Sequence, residues 1–161
     1  MSMFENDQYR WRETYFVLFE SARRPKLTAI LRRLGSLNNR FTMANPAANR
    51  EGLFESLTVL SPDDFAALDV CYLAGEEVRE QALELAKELR SGECTQAELA
   101  KLQRLKRCDG RFDVLHFEQI LDSATDELDD MFDPSTLLIV LEALAELTGG
   151  IPVDPQAGAL L

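Results

Sequence analysis

The sequence predicts an α+β domain with an open, mainly antiparallel sheet of four to five strands and helices mostly on one face. Residues 15–19 are a continuous apolar and aromatic run, which is typical of a strand covered on both faces. Residues 135–148 are apolar nearly all round, which predicts a helix buried on more than one side. Strand-like and helix-like segments follow one another, and no linker or repeat divides residues 1–161, so we expect a single domain.

A predicted helix follows the first strand and begins at Pro25. Proline suits the first helical position because its φ is already helical and its missing N–H is not needed there. The apolar residues that follow recur on one helical face, and they are Leu27, Ile30, Leu31 and Leu34. Gly35 is predicted to end this helix.

Turn-forming residues then separate three predicted strands. Residues 40–43 and 53–60 are predicted strands, and the stretch 45–52 between them has the composition of a hairpin loop. Ser-Pro-Asp-Asp at 61–64 suits either a tight turn or the start of a short helix. We favour a turn that leads into a strand at 67–73.

The second half of the chain is predicted to be mainly helical. Its predicted elements are helices at 76–90, 95–107 and 135–148, a strand at 112–119 and a small terminal hairpin at 151–161. Thr95 and Glu98 form a capping-box pattern at the start of the second of these helices. Gly149-Gly150 is the predicted stop of the third.

This order of elements resembles the ferredoxin-like βαββαβ arrangement with a C-terminal helix added. The resemblance concerns element order and no motif, and ferredoxin-like folds host many unrelated functions. It therefore implies a fold and no activity. If the helix at 135–148 is not covered on several sides, we expect a second subunit to cover it.

The net charge bounds the kind of partner. The chain has 17 Lys and Arg against 28 Asp and Glu, a formal net charge of −11 at pH 7. A basic surface supplies most of the affinity for nucleic acid, so no nucleic-acid partner is predicted. The charge is uneven, since residues 1–50 carry +5 and residues 51–161 carry −16.

Several features predict a soluble, cytoplasmic protein. No apolar run approaches the roughly 20 residues of a membrane span, and the polar N-terminus lacks the apolar core of a signal peptide. The three cysteines, Cys71, Cys94 and Cys108, are a sparse and odd set that fits a reducing compartment. A Cys94–Cys108 disulfide is excluded if the helix at 95–107 forms, because such a helix holds its ends ~20 Å apart.

The single histidine, His116, limits the catalytic chemistry. A Ser–His or Cys–His nucleophile pair would have to use it. We favour a partly buried histidine that is hydrogen-bonded to a neighbour. The alternative is that it pairs with Cys71 or with an acid elsewhere in the chain. No catalytic residue is predicted.

No metal or cofactor is predicted. The sequence has no C-x-x-C, H-E-x-x-H, G-x-G-x-x-G or Walker A motif. The acidic stretch 122–133 fails the EF-hand pattern, because Ala124 stands at position three and Glu127 replaces the glycine required at position six. We favour an irregular, solvated acidic loop before a helix N-terminus.

Three basic residues, Arg23, Arg24 and Lys26, lie at the predicted N-terminal end of the first helix. Free backbone N–H groups and positive side chains at such a place form an anion site, which Pro25 weakens by removing one N–H. A phosphate, a carboxylate or an acidic patch of a partner could bind there. The interpretation we favour is that these side chains are solvated or neutralised by the protein's own acids.

Residues 9–12, Tyr-Arg-Trp-Arg, alternate aromatic and basic side chains. Such alternation can stack on nucleic-acid bases, but the acidic net charge argues against that role. We expect Tyr9 and Trp11 to anchor an extended N-terminal segment while the two arginines face water.

A row of glutamates with i,i+4 spacing, at positions 76, 80, 84 and 88, runs along the predicted helix at 76–90. We favour a solvated face. The alternative is that the row meets the basic face of the first helix, from the same chain or from a second copy. That basic face consists of Lys26, Arg32 and Arg33.

Together these observations predict a non-enzymatic binding or regulatory module whose partner is another protein or a second copy in a homodimer. The alternative is a sensor of, or an enzyme acting on, an anionic small ligand with a phosphate or carboxylate group, held by the basic helix start at 23–26. The enzymatic version also needs an acid or a base, and the candidates Glu20 and His116 would have to face that basic site.

Overall fold

The structure, a computed structural model, describes residues 7–90, 95–120 and 135–161. Within these ranges the strands are β1 (Tyr9–Phe19), β2 (Thr42–Ala48), β3 (Phe54–Ser61), β4 (Ala66–Ala74), β5 (Gly110–Gln119), β6 (Ile151–Asp154) and β7 (Ala159–Leu160). The α-helices are α1 (Leu27–Leu37), α2 (Glu76–Arg90), α3 (Gln96–Leu105) and α4 (Ser135–Thr148). The predicted α+β class is confirmed.

The strands form one open antiparallel sheet with the order β2-β3-β4-β5-β1-β6-β7. The sheet has seven strands where four to five were predicted, because the terminal hairpin joins it as β6 and β7. Phe16 pairs with Val153 and Leu18 with Ile151, so β6 occupies the side of β1 that β5 leaves open. The ferredoxin-like order is not confirmed.

The α-helices cover both faces of the sheet, which corrects the expectation that they lie mostly on one. Val17 and Phe19 pack in a core cluster with α1 and α4, while Leu18 packs in a second cluster with α2 and α3. Successive side chains of a strand point to opposite faces, so the apolar run of β1 supplies both cores. We call these the α1/α4 face and the α2/α3 face.

Helix α1 begins two residues later than Pro25 and does not end at Gly35. The backbone of Pro25 and Lys26 is extended toward β3: the carbonyl of Pro25 accepts from the N–H of Phe54 at 2.9 Å, and Lys26 forms a bridge with Leu53. This tertiary pairing outweighs the local preference of proline for the first helical position. Gly35 lies inside the helix, which continues to Leu37 because Leu34 is fully buried beneath that turn.

Strand β2 continues through Asn45 and Pro46, which were predicted to lie in a hairpin loop. One register shift spans this stretch and a second follows it, and Asn45 has a φ of 51°, so the edge of the sheet is bulged there. The turn is shorter than predicted. The side chain of Asn49 accepts from the backbone N–H groups of Glu51 at 3.0 Å and Leu53 at 2.9 Å, as in an Asx turn.

The segment at 61–64 combines the two alternatives left open by the sequence. Pro62–Asp64 form a short 3-10 turn, Phe65 follows with a left-handed φ of 52°, and β4 begins at Ala66. The strand predicted at 67–73 is therefore confirmed. Helix α2 has the predicted bounds, and Thr95 caps α3 by accepting from the N–H of Glu98 at 3.2 Å. The predicted acidic loop at 122–133 lies outside the described residues.

Candidate functional site

The predicted anion site at Arg23, Arg24 and Lys26 does not form one cluster of side chains. The guanidinium of Arg24 lies 4.0 Å above the ring of Tyr72, and its Nε donates to the carbonyl of Phe54 at 2.8 Å. Lys26 is exposed, just before α1. Arg23 turns toward the end of α4. Arg23 and Arg24 thus have different partners, and Lys26 joins neither of them.

The first backbone N–H groups of α1 are also largely used within the chain. Leu27 donates to the carbonyl of Gly52 at 3.0 Å. Ala29 and Ile30 donate to the carbonyl of Lys26 at 3.1 and 3.2 Å. An anion at this helix start would have to displace those bonds, so the geometry gives the predicted site little support.

A second basic site lies at the C-terminal end of α4, and we call it the arginine pocket. Arg23, Arg104 and Arg107 line a cavity of about 260 Å³ together with Glu20, Cys108 and the chain around Gly149. Of these arginines the sequence singled out Arg23 alone. Arg104 lies in the last turn of α3 and Arg107 follows three residues later, and this spacing is the one sequence signal that could have suggested a shared basic surface.

The end of α4 explains why two of these arginines meet. Gly149 adopts a left-handed φ of 65°, and the N–H of Gly150 donates to the carbonyl of Ala145 at 2.9 Å, which together terminate the helix. Arg104 donates to the carbonyl of Gly149. The guanidinium of Arg23 lies against Gly149, in the space that a side chain would occupy. Both cations thus face the negative end of the helix dipole.

The thiol in the arginine pocket, Cys108, is buried and has low reactivity. Burial raises its pKa to about 11, although the positive charge of Arg104 opposes the shift. The thiol therefore stays protonated at neutral pH, and the thiolate required for nucleophilic attack is scarce. The pocket holds positive charge and offers no activated cysteine.

An apolar groove adjoins the arginine pocket along the outer side of α4, and we call it the α4 groove. Its volume is about 510 Å³, and its lining residues include Leu138, Leu141, Ala145, Pro152 and Leu161. Leu138 is 51% exposed, and Ile139 beside it is 38% exposed. Arg104 and Gly149 border both the groove and the pocket. Part of α4 is therefore uncovered, contrary to the expectation of an enclosed helix.

His116 is fully buried on the α1/α4 face, and its Nδ1 lies 3.3 Å from Oε1 of Glu13. The predicted hydrogen bond to a neighbour is confirmed, but the burial is complete where it was expected to be partial. Pairing with Cys71 is excluded by the register. His116 pairs with Leu68, which belongs to the α1/α4 core, whereas Cys71 pairs with Asp113 and lies on the α2/α3 face.

We expect acid to destabilise the protein through His116. Burial lowers the pKa of His116 below its ordinary 6.5, and the Glu13 carboxylate opposes the shift. Below about pH 6.5 His116 is protonated in the unfolded chain but stays neutral in the folded chain. The free energy of unfolding therefore falls by up to about 1.4 kcal/mol per pH unit until the pH reaches the pKa of the folded state. Urea unfolding at pH 7.5 and 5.5 measures the loss.

His116→Gln is the matching variant, because it removes the titrating ring. Its free energy of unfolding should change less between the two pH values than that of the wild-type protein. Arg12 and Glu118, the other charges near the ring, remain in both proteins. Equal pH dependence in the two proteins would show that His116 does not carry the effect.

The arginines of residues 9–12 are exposed, as expected, and they also pair with an acid, whereas Trp11 is 42% exposed and is not the predicted anchor. Residues 9–14 extend β1 beyond the predicted strand and pair with β5. Arg10 forms an ion pair with the nearly buried Glu118, and Arg12 Nη1 lies 3.5 Å from the same carboxylate. Tyr9 packs on the buried Phe117, as expected of an anchor. These partners account for the pattern within the chain.

The glutamate row of α2 lies far from the basic face of α1, because α1 and α2 cover opposite faces of the sheet. The alternative that the glutamate row meets the basic face of α1 within the same chain is therefore wrong. A groove beside the row is lined by Glu76, Glu80, Glu84 and Arg111. Among the described residues, Arg111 is the only cation that lines this groove. Its Nε lies 2.6 Å from Oδ1 of Asp113, so it also forms an ion pair with that acid.

Within the described parts of the chain, His, Cys, Asp and Glu form no group of three that could hold a metal ion. In the same ranges no helix has the length and apolar character to cross a membrane. Cys71 and Cys108 are free thiols, whereas Cys94 lies outside the described residues. Comparison with protein-family models, with curated proteins and with solved structures finds no match for this chain.

Proposed function

We propose that this chain is a non-enzymatic binding module that self-associates, with the α4 groove as its interface and a second copy as the occupant. The observation that carries the proposal is the exposed apolar side of α4. Leu138 and Ile139 face solvent on a helix whose opposite side, including Leu137, Val140, Leu141 and Leu144, is buried in the core. An exposed apolar strip beside a groove is typical of an interaction surface.

The placement of reactive side chains supports a role without catalysis. Cys71 and His116 lie on opposite faces of the sheet, so they form no nucleophile and base pair. The third reactive group, Cys108, is held as a thiol by burial. What the described surface offers is shape, apolar area and charge, which suit binding.

The edges of the sheet offer a poorer route to self-association. Edge strand β2 carries Pro46, which lacks an N–H, and its register shifts twice around that residue. Edge strand β7 is only two residues long. Neither edge presents the long, regular row of backbone groups that strand addition needs, so a helical contact is favoured.

The charges around the α4 groove favour a second copy as the occupant. Glu142 and Glu146 line the groove from α4, and Arg104 borders it from α3. Glu146 is paired with Arg33 at 2.6 Å, so Glu142 is the acid that faces a second copy. A twofold interface must be self-complementary, so it requires both signs of charge around its apolar centre. Antiparallel packing of two α4 helices would bring Arg104 of each copy toward Glu142 of the other and would cover Leu138 in both.

Leu138→Glu tests this interface. We expect the wild-type protein to dimerise with a Kd on the order of 10–100 µM, because few large apolar side chains are exposed along α4. Burying one leucine is worth about 1.5–3 kcal/mol, so the substitution should weaken association at least about tenfold. Sedimentation velocity over a concentration series at physiological salt, where the net charge is partly screened, measures the Kd.

The matched control is Leu99→Glu on α3, which places the same charge at a leucine that is 43% exposed. This variant should dimerise like the wild-type protein. A wild-type chain that stays monomeric at millimolar concentration contradicts self-association. Equal loss of dimer in both variants, or in neither, contradicts the assignment to the α4 groove.

A further inference from the structure

Three arginines from separate parts of the chain converge on the arginine pocket. Arg23 follows β1, Arg104 lies in the last turn of α3, and Arg107 follows that helix. Two of the three guanidinium groups contact the same residue, Gly149. The fold thus places three exposed cations around one cavity.

The positive charge of the pocket is only partly balanced within the described residues. There, none of the three arginines forms an ion pair with a carboxylate, and the only acid that lines the cavity is Glu20. The end of α4 adds about half a negative charge. Asp109, next to Cys108, is a second acid near the cavity. Three cations against these two carboxylates and a helix end leave a small net positive charge on a protein whose net charge is −11.

The size and chemistry of the cavity define what it can take. Its volume of about 260 Å³ is smaller than the roughly 300–1,000 Å³ of sites for drug-sized ligands. Guanidinium groups bind two oxygens of one phosphate or carboxylate through paired N–H donors. The neighbouring groups Cys108 and Thr148 are neutral, so they add no repulsion for an anion.

We infer that the arginine pocket binds a small free oxyanion that carries phosphoryl or carboxylate groups, of about the size of pyrophosphate or citrate. The site differs from the basic helix start at 23–26, because Arg24 is engaged by Tyr72 and Phe54 and lies outside it. Binding does not require dimerisation, since Arg23 and Arg107 lie outside the α4 groove.

Isothermal titration calorimetry with inorganic pyrophosphate and with citrate tests the inference, in a buffer of low ionic strength because the arginines are exposed. We expect at least one of these anions to bind with a Kd below about 1 mM. Arg23→Gln and Arg107→Gln should each weaken that binding at least about fivefold, because each removes a charge-assisted contact.

Arg32→Gln is the control, since it removes the same charge from an exposed position of α1 away from the pocket. It should change the Kd by less than about twofold. At protein concentrations at which the wild-type protein is monomeric, Leu138→Glu should bind the anion like the wild-type protein, which separates this inference from the proposed dimer. Absence of binding by both anions, or an equal loss in Arg32→Gln, overturns the inference.

Discussion

Replacing Phe112 by alanine is expected to lower the free energy of unfolding by about 3–5 kcal/mol. Phe112 is fully buried in the core of the α1/α4 face. Its ring centroid lies 4.7 Å from that of Phe19 and 5.4 Å from that of Phe54. The alanine variant therefore loses buried apolar area and opens a cavity that three neighbouring strands cannot close without moving.

Chemical denaturation followed by circular dichroism measures the loss. Phe65→Ala is the matched control, because it makes the same change at a phenylalanine that is 39% exposed and lies in a turn. We expect it to cost less than about 1 kcal/mol. Similar losses in the two variants would contradict the assignment of Phe112 to the centre of the core.

Local sequence patterns correctly predicted the helices and strands that are determined by interactions within a few residues of the chain. Helix α2 has the predicted bounds because its apolar seam is regular and Gly75 precedes it with a φ of 130°. Strand β4 likewise follows a turn that Pro62 favours. In both places the local preference and the tertiary packing agree, so short-range reasoning is sufficient.

The predictions that are wrong concern contacts between distant segments. Pro25 does not start a helix, because its carbonyl is bound by the N–H of Phe54. The helices cover both faces, a result that the two-sided apolar run at 15–19 allowed but that the element order did not specify. A short apolar run gives the number of covered faces and does not identify which helix covers each one.

The sequence did not predict the candidate site, because this site too is formed by contacts between distant segments of the chain. Arg23 was singled out, but its neighbours in space, Arg104 and Arg107, are brought to it by the packing of α3 and by the end of α4. No motif spacing links residues so far apart in the chain. Likewise, the glycine pair at 149–150 was interpreted only as a helix stop, although Gly149 also makes room for Arg23.

Gly150→Ala is expected to lower the free energy of unfolding by about 2–3 kcal/mol, the second large effect. A Cβ at this position would lie 2.8 Å from the carbonyl oxygen of Leu18 and 2.7 Å from Oγ1 of Thr148. One neighbour is backbone of the central strand β1, and Thr148 Oγ1 is fixed by donating to the carbonyl of Leu144 at 2.8 Å. Neither can move away cheaply, so α4 must shift away from β1.

Gly35→Ala in α1 is the control variant, because it makes the same substitution at a glycine that has no close neighbour. A Cβ at Gly35 meets no atom within 4 Å, so alanine there should stabilise the protein by about 0.5–1 kcal/mol through its better helix propensity. Thermal and urea unfolding of both variants should give changes of opposite sign. If Gly150→Ala is as stable as the wild-type protein, the close contact between the end of α4 and β1 is wrong. The position of Gly149, and with it the arginine pocket, would then be wrong as well.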